Sequence, residues 1–143
     1  MTVRRLLLLA LVVVALTGCA AERHLLMAHG GGIDVTVDDR TGWTLGASVV
    51  EPVPASILDD WSGGSVKVRN VDDAVLQVAW TGGGCQEPAT MLVTGKQDAL
   101  AVRIHLGKPC MTQEGVLRVL RLTFDRAIDA ANVDGSVVDT LPD

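Results

Sequence analysis

Short valine-rich runs with alternating polarity, each closed by a turn signal after about ten residues, constrain this chain more than any other feature. Ile33, Val35 and Val37 alternate with Asp34 and Thr36, and Val66 and Val68 alternate with Lys67 and Arg69. A period of two puts every second side chain on one face of an extended strand. Seventeen valines lie between residues 19 and 143. Branching at Cβ disfavours helix and suits a pleated, half-buried surface. No stretch carries the three-four spacing of a long amphipathic helix.

The runs can be followed along the chain. After residues 33–37, Asp38-Asp39-Arg40-Thr41-Gly42 supplies a turn. Residues 43–50 make a second strand with Gly46 as a bulge or bend, ended by Pro52 and Pro54. Residues 55–61 fit one helical turn, closed by Gly63 and Gly64. Strands are expected at 66–69 and 74–80, then a hairpin of 90–94 and 99–106 around Gly95-Lys96-Gln97-Asp98. Residues 116–124 are apolar on both faces, with Arg118 and Arg121 on opposite ones, as a covered central strand would be. Residues 125–131 read as a short helical turn or loop, and 132–138 as a hairpin-like ending around Asp134-Gly135. Seven or eight short strands predict an all-β fold, a compact antiparallel β-sandwich of immunoglobulin-like type. A small β-barrel is the alternative.

The N-terminus has a different character. Arg4 and Arg5 precede an eleven-residue run, 6–16, with no charged side chain. As a helix that run would span roughly 17 Å, too short for a ~30 Å hydrocarbon core, so it fits the apolar region of a signal peptide. Leu16-Thr17-Gly18-Cys19 follows, and this resembles the lipobox of bacterial lipoproteins. The resemblance implies that residues 1–18 are cleaved and that Cys19 receives a diacylglyceryl group, with palmitate among its acyl chains. The protein would then be held at the extracytoplasmic face of the cell membrane, since two or three acyl chains anchor stably where one does not. Few Lys, Asn, Ile, Phe and Tyr with abundant Ala, Val, Gly, Asp and Arg also resembles small β-sandwich lipoproteins of actinobacterial type. Residues 19–32, ending in Gly30-Gly31-Gly32, read as the lipidated cysteine and a flexible tether, and 33–143 as a single β-domain.

Three cysteines leave an odd one in an exported chain. Lipidation of Cys19 accounts for it and leaves Cys85 and Cys110 as a pair, expected to be a disulfide outside the cytoplasm. Partners across a turn centred near 96.5 have numbers summing to about 193, and 85 with 110 gives 195, a small offset. The bond would pin the open end of the 90–106 hairpin. Closing this 26-residue loop contributes roughly 3.5 kcal/mol in the chain-entropy model.

Charge and aromatics limit the partners. From residue 19 onward there are 10 basic and 17 acidic residues, a net charge of −7. That balance argues against nucleic acid or anionic lipid headgroups. Three Trp, one Phe and no Tyr make an aromatic-lined sugar groove an unfavoured reading.

Residues able to carry chemistry are sparse. Asp38-Asp39, Asp59-Asp60 and Asp72-Asp73 could supply oxygens to calcium, but each falls where a turn is expected and Asp caps turns. Trp61 and Trp80 each precede a Ser/Thr-Gly-Gly run. Core placement is favoured for both, with stacking on a ligand ring as the alternative. His24 and His29 lie in the expected tether without a third ligand beside them. His105, Met91 and Met111 beside Cys110 form the copper alternative, without a His-x-His or Met-x-x-Met spacing. His105 is also the candidate base if the protein is an envelope enzyme. No nucleophile elbow, Ser-x-x-Lys pair or P-loop is present, so no catalytic residue, metal site or cofactor is assigned. The expected function is a non-enzymatic, membrane-anchored module that binds an envelope protein or small ligand. The alternatives are a Cu or Ca carrier and an envelope enzyme.

Overall fold

The computed structural model describes residues 22–51, 54–83, 89–96, 99–107 and 115–139. Nine strands run in chain order: β1 (His24–Gly30), β2 (Ile33–Asp39), β3 (Thr44–Val50), β4 (Val66–Asp72), β5 (Val75–Gly83), β6 (Ala89–Lys96), β7 (Ala99–Leu106), β8 (Gly115–Phe124) and β9 (Val133–Asp139). Two 3-10 turns, Ala55–Asp60 and Ala130–Asn132, complete the described elements. The strands form a five-stranded sheet, ordered β1-β2-β6-β7-β9, and a four-stranded sheet, ordered β3-β8-β5-β4. Nearly everything described is β, in two sheets with no closed barrel, an arrangement compatible with a sandwich and not with the barrel alternative.

The core lies between the sheets and follows the period of two. Val35 and Val37 of β2, Met91 and Val93 of β6, and Val102 and Ile104 of β7 meet Val66, Val68, Leu76, Val78, Leu120 and Leu122 from the other sheet. All are at most 1% exposed. Arg118 shares the inward register of Leu120 and Leu122 but sits at one end, where Nη1 donates to the Gly31 carbonyl at 3.5 Å. Burial lowers its guanidinium pKa. Arg121 faces solvent, and β8 runs between β3 and β5 as the central strand expected.

A second, smaller core covers the outside of the four-stranded sheet. The first 3-10 turn delivers Trp61 onto Ala79 and Val119, with Val50, Leu58 and Leu117 around it. β8 therefore carries apolar side chains on both faces because both faces are covered.

Three expectations need correction. The segment 19–32 is not all tether, because His24–Gly30 pairs antiparallel with β2. Gly31 and Gly32, at φ 57° and 74°, make the two-residue hairpin turn that needs left-handed backbone at both positions. Only Leu26 and Ala28 of β1 point inward, so an edge strand with two inward apolar residues does not announce itself in sequence. The ending around Asp134-Gly135 is no hairpin. β9 runs straight through it, and Gly135 is there because a Cβ would come 2.8 Å from that of Val66. Finally, β2/β6 and β7/β9 are parallel while the other five pairs are antiparallel. Each parallel partner is reached by a crossover through the opposite sheet, a connection that local alternation cannot reveal.

The β6/β7 hairpin forms with a register slightly different from the expected one. Thr90 faces His105, Met91 faces Ile104 and Lys96 faces Ala99, so every pair sums to 195 rather than 193. Cys85 and Cys110 share that sum but lie outside the described residues, as do Cys19 and the lipobox.

Candidate functional site

Strand directions gather four connections at one end of the sandwich: β2 to β3, β4 to β5, β6 to β7, and β8 to β9. The β2–β3 connection is organised by Asp39. Its position continues the inward series Val35, Val37, and it is fully buried. Its Oδ1 accepts from the Thr41 N–H at 2.8 Å and the Thr41 hydroxyl at 2.5 Å, and its Oδ2 accepts from the Thr44 N–H. Burial pushes this carboxyl up, but the hydrogen bonds from Thr41 and Thr44 together outweigh it and hold the pKa below its ordinary value. The Arg40 N–H closes the turn onto the Val93 carbonyl at 3.1 Å.

That turn places Trp43 beneath the end of the core. Its indole lies against Gly95 of β6, and the Arg126 guanidinium stacks on it 4.1 Å from the ring centroid. Arg126 Nε also pairs with Asp125 Oδ1 at 2.7 Å, and the Asp125 N–H donates to the Trp43 carbonyl at 2.9 Å. Arg126 lowers the Asp125 pKa and is itself raised in return.

The β8–β9 connection is pinned from β4. Asn70 Nδ2 donates to the Ile128 carbonyl at 2.7 Å, while its Oδ1 accepts from the Ala130 N–H at 2.8 Å. Asp129 then caps the second 3-10 turn through the Ala131 N–H. The result is an open depression of about 550 Å³ lined by Asn70, Asp73, Arg126, Ile128, Asp129 and Asn132. A second, of about 350 Å³, adjoins it at Asn132 and is floored by Gly95, Leu100 and Ala101. This end offers fixed backbone and amide groups beside one stacked cation, a combination suited to holding a polar partner.

The residues singled out from sequence are scattered. Trp80 is 2% exposed in the main core and Trp61 4% in the smaller one, which leaves neither ring open for a ligand to stack on. His105 stands half-buried on the outer face of the five-stranded sheet, opposite Thr90 and Val138, with no hydrogen-bonded carboxylate among the described residues. Met91 faces the core, so it and His105 lie on opposite faces of one sheet and cannot share a copper ion. Met111 and Cys110 lie outside the described residues. His29 Nδ1 pairs with Asp34 Oδ1 at 2.6 Å, while His24 lies at the other end of β1 against Gly42. Among the described residues no three His, Cys, Asp or Glu side chains are grouped to hold a metal. Asp72 behaves as a turn former, accepting from the Asp73 N–H at 2.6 Å.

Sequence reasoning missed Trp43, Asn70 and Arg126. For Asp39 a signal existed, since it continues the inward parity of Val35 and Val37. For Asn70 none did: its partners are 58 and 60 residues away. No described helix is long and apolar enough to cross a membrane. Comparison of the chain with models of protein families, with curated proteins and with solved structures finds no match in any of the three.

Proposed function

We propose that the protein is a lipid-anchored envelope module that binds a partner through its β-domain, with Cys19 as its acylated N-terminus. The observation that carries the anchor is the run Leu16-Thr17-Gly18-Cys19 behind a basic and apolar leader. Only residues 20–23 separate Cys19 from β1, a reach of at most about 18 Å. Such a tether would keep the domain beside the membrane at its extracytoplasmic face. The binding role is supported by the pinned loop end with its open depressions. A disulfide between Cys85 and Cys110 and an immunoglobulin-like description of the sandwich belong to the same reading. The β6/β7 register supports the first, and the packing of two sheets face to face supports the second.

The test of the anchor is the mature mass and membrane retention of wild type against Cys19→Ala. The wild type should carry the added acyl mass and begin at residue 19, and the variant should lose both. An unchanged mass and unchanged retention would refute the anchor. The binding role is tested by pull-down of the lipidated protein from its native envelope, where recovery of the bait alone counts against it.

A further inference from the structure

The exposed apolar surface of the domain is gathered at one corner. Among the described residues the three most exposed large hydrophobic side chains are Leu25, Leu45 and Met27, at 65%, 61% and 55%. Leu25 and Met27 take the outward positions of β1, alternating with the inward Leu26 and Ala28. The Thr36 hydroxyl donates to Met27 Sδ at 3.0 Å, which holds the thioether over the outer face of β2. Leu45 is the extra residue of the bulge between Thr44 and Gly46, where β3 begins. β1 and β3 are edge strands of different sheets, and they run along the same side of the molecule. A Cβ on Gly30 would lie 3.3 Å from that of Val49, and one on Gly42 would lie 3.7 Å from the His24 ring. Exposed apolar side chains scattered singly need no explanation, whereas a cluster of them marks an interaction surface.

The chain enters the domain at this same corner. His24, the first residue of β1, pairs with Asp39 at the loop end of β2. Residues 20–23 alone link that point to Cys19, a reach of at most about 18 Å. An acylated Cys19 would therefore hold the corner within that distance of the bilayer. Charge does not oppose contact with lipid. The three carboxylates of residues 24–50 are each partnered: Asp34 with His29 at 2.6 Å, Asp38 with Arg40 at 3.5 Å, and Asp39 with Thr41 and Thr44. Arg40 is the one Lys or Arg in that stretch, so contact would rest on apolar side chains rather than on headgroup charge.

We propose that this corner is the membrane-docking surface of the domain, with Leu25, Met27 and Leu45 sunk into the interfacial region of the bilayer that carries the Cys19 anchor. Apolar side chains set beside an acyl anchor add to its hold without requiring charged lipids. The β1 and β3 side then lies against the lipid with the loop end beside it. That orientation restricts the partners of the two depressions to molecules at the membrane surface. The proposal rests on the anchor reading and takes its occupant from it.

The test uses the mature lipidated chain in phosphatidylcholine nanodiscs that contain a nitroxide-labelled lipid, with the methyl signals of Leu, Met, Val and Ile followed by NMR. Leu25, Met27 and Leu45 should broaden strongly. Val71 on the far edge strand β4, and Ile57 in the turn Ala55–Asp60 at the opposite end, are exposed too and should not broaden. The pattern should persist at about 0.5 M salt, where contacts between exposed charges are screened. Leu25→Gln together with Met27→Gln alters only exposed side chains and should reduce the broadening of Leu45 about threefold or more. Ile57→Gln should leave it unchanged. The proposal is overturned by even broadening of all exposed methyls, by none at the corner, by an unchanged Leu45 in the double variant, or by loss of the effect at high salt. Effects at the corner that grow with the protein-to-lipid ratio would assign it to a second copy and overturn the proposal likewise. Intact mass of the same sample reads the anchor separately. An acylated chain without corner broadening removes the docking surface and leaves the anchor, whereas a chain without acyl mass removes both.

Discussion

The Trp43 indole occupies the volume that a side chain on Gly95 would need. A Cβ on Gly95 would lie 2.9 Å from Trp43 Cε3 and closer still to Cζ3 and Cη2. The ring cannot retreat, because Arg126 is stacked on it and the backbone of Trp43 is tied to Asp125. Gly95→Ala should therefore cost about 2–3 kcal/mol, the usual penalty for overpacking a filled site. Trp43→Leu makes room at the cost of a partly empty floor. The two changes should combine to less than the sum of their separate costs, with a coupling of about 1 kcal/mol or more in urea denaturation. Additive costs would mean that ring and glycine do not compete for the same space.

Asp39 makes the stability of the loop end depend on pH. Its folded pKa lies below the ordinary 3.8, so its contribution is fully present above about pH 4 and is lost as pH falls through the folded value. Asp39→Asn sets an amide N–H₂ against one of the donors that Asp39 now receives from Thr41 and Thr44. The expected loss is about 2–3 kcal/mol at pH 7, with a smaller difference from wild type at pH 3. Equal differences at both pH values would show that the charge plays no part.

What could be read from sequence was whatever alternates locally and ends in a recognisable turn. β2, β4, β5, the β6/β7 hairpin and the central β8 all meet that condition, and their apolar parity matches the observed core. β1 does not: Leu25 and Met27 are exposed, at 65% and 55%, so the period is hidden among apolar residues on both faces. Asp134-Gly135 carried a turn signal whose cause was instead the closeness of Val66. The loop-end site depends on side chains brought together over long separations, such as Asn70 with Ile128 and Trp43 with Arg126.

Cys85 and Cys110 extend the numbering of the β6/β7 register, and their pairing is open to direct test. The oxidised chain should weigh two hydrogens less than its free-thiol mass and should resist alkylation at both positions until reduced. Replacing both by Ser should cost about 3 kcal/mol, most of it through the unfolded chain. Two thiols that alkylate without reduction would remove the staple from any account of this fold.

Trp61 separates the packing of the smaller core from the polarity of its indole. The ring covers Ala79 and Val119, and its Nε1 has no hydrogen-bond partner among the described residues. Trp61→Ala would expose the outer face of β5 and β8 and should cost about 3–4 kcal/mol. Trp61→Phe keeps a ring over Ala79 and beneath Arg69 while removing an unpaired N–H, so its cost should stay under about 1.5 kcal/mol. Both values can be read from urea denaturation at pH 7. If Phe proved as damaging as Ala, the indole N–H would have to be making an interaction that holds the turn from Ala55 to Asp60 in place, and shape alone would not explain why this sheet needs a tryptophan on its outer face.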